Sequence, residues 1–97
     1  MMNRLQFLTE KAAVLVQTAE LQTKMGGRDL TVARGAFTLI AQAAHALEEA
    51  AGIAPEPYRA EFRAKFIGLV QILGELTEAI KDLEGEEMAL ATRATKH

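Results

Sequence analysis

Few side chains in this chain are of a type and spacing that could do chemistry. His45 and Glu48 stand three residues apart, close enough on one helical face for an imidazole and a carboxylate to share a divalent metal ion. A bundle site of that kind needs a second such pair, and the only other histidine is His97, the last residue. No metal ion and no other cofactor is therefore expected. Serine and cysteine are both absent, which removes the usual hydroxyl and thiolate nucleophiles, disulfides and sulfur-ligated zinc. Gly26-Gly27 followed by Arg28 could receive an anion at a helix start, but a glycine pair between two helical patterns reads as a turn.

The acidic residues offer a more specific string. Gly74-Glu75-Leu76-Thr77-Glu78-Ala79-Ile80 resembles the Gly-Glu-Leu-x-Glu-Ala-Ile stretch of the MazG-type nucleotide pyrophosphohydrolases, an all-α family whose acidic side chains hold magnesium against a nucleoside triphosphate. The resemblance covers about a tenth of the chain and implies roles for Glu75 and Glu78. Two adjacent glutamates that precede the glycine in that family are Gln71 and Ile72 here, and its later Glu-x-x-Asp element has no match downstream. Magnesium needs convergent carboxylate oxygens, so the enzymatic reading stands as the alternative, and the chain is expected not to be an enzyme.

The elements that would position these residues are all helical. Asn3 can cap a first helix, with Gln6 completing a variant of the capping box. That helix runs over about 4–25 and ends at Gly26-Gly27. Asp29 or Thr31 can cap a second, over about 30–51, whose apolar face is Val32, Ala36, Ile40, Ala43, Leu47 and Ala50. Gly52 is expected to stop it, with Ile53 making the apolar contact of a Schellman ending, and Pro55 and Pro57 to stiffen the connection. A third and longest helix, about 57–84, carries Phe62, Phe66, Leu69, Leu73, Leu76, Ile80 and Leu83 in alternating steps of four and three. Gly85 is expected to end it, leaving 86–97 as a weakly structured tail.

These elements make one all-α domain over residues 1–97: a three-helix up-down-up bundle with a long third helix, completed by homo-oligomerisation. The reason for the last term lies in helix 1. Leu5, Leu8, Ala12, Leu15 and Ala19 form one seam, while Phe7, Val14, Leu21 and Met25 form a second on nearly the opposite side. So short a chain can cover one seam itself, and Met88 and Leu90 of the tail are its only spare cover for the other. On helix 3, Ile67 lies well round the back and Val70 flanks the inner seam, with Ala64 and Gly68 beside Ile67. Phe7, Val14, Leu21, Met25, Ile67 and Val70 are thus the candidate interaction residues.

Charge adds a further expectation. Helix 3 carries Arg59, Arg63 and Lys65 in its first half and Glu75, Glu78, Asp82 and Glu84 in its second, against the helix dipole. An antiparallel hairpin with helix 2 would set Glu48 and Glu49 against Arg59 and Arg63, Arg34 against Glu75 or Glu78, and Gly35 near Gly74. An antiparallel pair of helices 3 would match the same halves to each other.

The formal net charge of −2 and the lack of a basic, aromatic-laced cluster speak against nucleic acid as a partner. The longest nearly continuous apolar run, Phe66 to Leu73, is too short to span a bilayer, the polar faces are not basic, and the first ten residues lack a signal-peptide pattern. The chain is expected to be cytoplasmic and to bind itself, as a dimer or higher oligomer, and another protein. The function class is a non-enzymatic helical interaction module, such as an adaptor, assembly factor, inhibitor or secretion-type chaperone. A structural subunit of a larger assembly, for example a viral one, is a further alternative.

Overall fold

The structure, a computed structural model, describes residues 3–95. His97 lies outside the described residues. Three helices follow one another: α1 (Arg4–Gly26), α2 (Leu30–Ile53) and α3 (Tyr58–Thr95), and the described residues include no strand.

Each helix starts and stops for a local reason. Asn3 caps α1, its side chain accepting from the Gln6 amide at 2.8 Å while Gln6 Oε1 accepts from the Asn3 amide at 3.2 Å, which satisfies two end donors. Gly27 follows with φ +64°, a conformation that a side chain resists, and its amide returns to the Thr23 carbonyl. Asp29 caps α2 by accepting from the Val32 amide at 3.1 Å.

Two of the expected stops are wrong. Gly52 lies inside α2, which ends only at Ala54, extended at ψ 139°. The cause is Pro55, which disfavours a helical conformation in the residue before it. Ile53 is consequently the last helical residue and is exposed, with no Schellman ending. Gly85 likewise lies within α3, which continues to Thr95. One glycine costs a helix only about 1 kcal/mol, and Glu86, Glu87, Met88, Ala89 and Leu90 beyond it are nearly all good helix formers.

The extension changes the reading of the charges on α3. Its first turn contains Glu61 and its last contains Arg93, so the acidic run from Glu75 to Glu87 sits away from the helix end. The dipole acts mainly within the terminal turns, and the conflict expected from a helix ending at 84 largely disappears.

Helix α2 is the centre of the bundle. Ala36, Ile40, Ala43, Ala44, Ala46, Leu47, Ala50 and Ala51 are all buried along it. Both α1 and α3 pack on α2, while no Cα of α1 comes within 8 Å of a Cα of α3. The axes of α1 and α3 therefore stand farther apart than the roughly 8–10 Å of directly packed helices. Small alanine side chains let each neighbour approach α2 closely, and the larger residues close over it: Leu8 and Leu69, with Leu5, Leu15, Val16, Phe62, Phe66, Leu73 and Leu76 partly buried around them.

Ion pairs fix which ends are neighbours. Arg4 at the start of α1 reaches Glu49 near the end of α2. Arg34 near the start of α2 lies 3.6 Å from Glu84, and Arg28 just before α2 lies 2.6 Å from Glu86, both far along α3. The expected partners were different: Arg34 passes Glu75 and Glu78, and Glu49 turns to α1 instead of Arg59. Gly35 also faces α1, its open side directed at Gln22, while Gly74 has nothing near it. Thirty-eight helical residues against twenty-four make α3 roughly 57 Å long beside roughly 36 Å for α2, so the end of α3 projects beyond the body.

Candidate protein-docking surface

The inner side of α1 is filled by α2 through Leu8, Ala12 and Ala19. Its outer side is not covered. Phe7 is 45% exposed, Val14 59%, Leu21 58% and Met25 79%. The first three recur every seven residues, which places them in line along the helix. At one end of the line Arg4 bridges outward and inward at once, its guanidinium 5.6 Å from the Phe7 ring while it also pairs with Glu49 of α2. That contact holds Phe7 at the surface by a cation–π interaction. Met88 and Leu90, the spare cover considered for this seam, are themselves 72% and 64% exposed and lie on the far part of α3.

Ile67 and Val70 are likewise exposed. They form a second exposed patch on α3. Ile67 also borders a recess of about 550 Å³ with Glu48, Gly52, Arg59, Arg63 and Phe66. Glu48 is thus near both arginines, though it is not among the described ion pairs; Arg59 instead lies 3.9 Å from Glu56 and donates from Nε to the Ala54 carbonyl. Gly68 was expected to lie beside Ile67 on the outer face. It instead borders the cleft between α1 and α3, because one residue along a helix turns the direction by about 100°.

That cleft is the feature missed by sequence reasoning. Because the axes of α1 and α3 stand apart, a furrow of about 510 Å³ opens between them over Leu47, lined by Thr9, Ala13 and Val16 on one side and by Lys65, Gly68 and Ile72 on the other. A smaller hollow of about 340 Å³ continues it past Val16 and Ile72 to Leu76. The available signal was the width of the alanine face on α2, which is broad enough for two neighbours at once.

The side chains with catalytic potential are scattered. His45 is exposed on α2 beside Lys11, Phe37 and Gln42. Glu75 and Glu78 are exposed on α3, and Glu78 lies 3.7 Å from Lys81. Among the described residues no three His, Asp or Glu side chains converge as a metal site would require. Arg28 is engaged by Glu86 rather than left facing the Gly26-Gly27 turn. No helix among the described residues is long and apolar enough to cross a membrane. Comparison with protein-family models, with curated proteins and with solved structures gave no match.

Proposed function

We propose that this protein is a non-enzymatic helical interaction module: an up-down-up bundle that works as a homo-oligomer and offers an apolar helix face to another protein. The observation that carries the reading is the line of Phe7, Val14, Leu21 and Met25, left in water on a helix whose opposite side is already packed. Fully burying each such side chain contributes about 1.5–3 kcal/mol, so the line supplies a gain that can exceed the cost of association. Recognition would be of the helix-in-groove kind, with the α1 side chains as anchors. The antiparallel order is supported by Arg4 meeting Glu49 and Arg34 meeting Glu84.

The experiment has two readouts. Light scattering of the purified chain at tens of micromolar should give a mass above the 10.6 kDa of one copy. Native purification should bring down a stoichiometric partner that is lost when Val14→Glu and Leu21→Glu are combined. A monomer that retains no stoichiometric partner overturns the reading. So does magnesium-dependent nucleoside triphosphate hydrolysis that Glu75→Gln removes.

A further inference from the structure

We propose that two copies of this chain associate through antiparallel α3 helices, about a two-fold axis passing between Val70 and Gln71. The proposal rests on the homo-oligomer reading above and assigns its interface.

Three observations converge on the outer face of α3. Arg63, Ile67, Val70, Gly74 and Glu78 follow one another at steps of four and three, so they share one side of the helix, and all five are exposed. Charge is mainly basic before the proposed axis, with Arg59, Arg63 and Lys65 against Glu61, and mainly acidic after it, with Glu75, Glu78 and Asp82 against Lys81. Among the acids of the second half of α3, Glu84 pairs with Arg34 of α2, Glu86 pairs with Arg28 just before α2, and Glu78 lies 3.7 Å from Lys81 one turn along α3. Arg63, Glu75 and Asp82 take part in no ion pair among the described residues.

An antiparallel partner gives Arg63 an acid and draws Glu78 across from its exposed contact with Lys81, the kind of surface pair that contributes little. With the axis between Val70 and Gln71, Arg63 faces Glu78 of the partner subunit and Ile67 faces Gly74 of the partner subunit. Symmetry repeats both contacts. A Cβ built at Gly74 would meet nothing within 4 Å, so that level is open to the incoming isoleucine and the two backbones can approach closely. A parallel pair would set Arg63 beside Arg63 and acid beside acid, which charge repulsion disfavours. By contrast the charges of α1, Arg4, Glu10, Lys11, Glu20 and Lys24, are not segregated by sign along the helix and select no direction. The α3 face therefore fits a second copy, and the α1 line remains for a different protein.

Charge reversal tests the pairing without requiring a partner to be identified. Arg63→Glu alone sets Glu against Glu78 of the partner subunit twice, and Glu78→Arg alone sets Arg against Arg63 of the partner subunit twice. Each variant should weaken self-association, read by sedimentation, by about tenfold or more. Mixed in equal amounts, the two variants restore opposite charges at both contacts, and the dimer should return to within about threefold of the parent. The return also shows that both variants fold. Reversals that weaken the dimer without recovery on mixing overturn the proposed register. A dimer indifferent to both reversals but dissociated by Val14→Glu overturns the α3 interface and leaves the homo-oligomer reading standing. A parent protein that is monomeric at tens of micromolar overturns both.

Discussion

The side chain of Val32 occupies the space where Gly26 lacks one. A Cβ at position 26 would lie 2.5 Å from Val32 Cγ2 and 3.2 Å from Val32 Cβ, so the last residue of α1 and the first turn of α2 are packed backbone to side chain. The Val32 amide is meanwhile held by the Asp29 cap. This contact sets the angle at which the chain reverses. Gly26→Ala forces a β-branched side chain with little rotamer freedom to move, at a cost of about 1–3 kcal/mol. Thermal denaturation should show that loss, and Val32→Ala in the same chain should recover most of it.

The middle of α2 has no room for growth. Ala43 and Ala50 are 0% exposed on the helix that takes both neighbours. Ala43→Leu should destabilise the fold by about 1–3 kcal/mol through overpacking. Leu47→Ala, beneath the cleft between α1 and α3, should cost about 2–5 kcal/mol by leaving a cavity. Urea unfolding measures both, and a neutral Ala43→Leu would show that α1 and α3 are free to separate.

The start of α1 depends on one small side chain. Asn3→Ala removes the acceptor for the Gln6 amide and leaves the returning Gln6 contact alone. The expected loss is about 1 kcal/mol. Amide exchange should quicken in the first turn of α1 and remain unchanged in α3.

Gly85 offers the opposite case. It is helical, and a Cβ there would meet nothing. Gly85→Ala should therefore stabilise the distal part of α3 by about 0.5–1 kcal/mol. Circular dichroism against temperature would show the gain as later fraying of the projecting end. No change in helicity would mean that the residues beyond 85 are held by contacts rather than by their own propensity.

The outer line of α1 predicts a separation of stability from association. Val14→Glu and Leu21→Glu replace exposed side chains with a good helix former, so the denaturation midpoint of the chain should shift by no more than the equivalent of about 0.5 kcal/mol. Binding of a partner through α1 should fall sharply in the same variants. A large loss of stability would place these residues in a packed interior.

The sequence by itself determined the elements, the first cap and the two apolar sides of α1, all of which depend on neighbours a few positions away. Helix periodicity set the three elements, Asn3 with Gln6 set the first cap, and the seven-residue recurrence of Phe7, Val14 and Leu21 set a second apolar side on α1. It did not decide where two of the helices stop. Propensity beyond Gly85 and the proline after Ala54 outweighed the glycines, and such competition turns on sums of small energies. Only the tertiary structure decided that α2 takes both neighbours, that α1 and α3 leave a cleft between them, and that Gly35 faces Gln22 rather than Gly74. Those outcomes depend on how far apart two helices can stand while sharing a third. An alanine-rich face permits several such spacings, and the bulk of Leu8, Phe66 and Leu69 closing over it selects one.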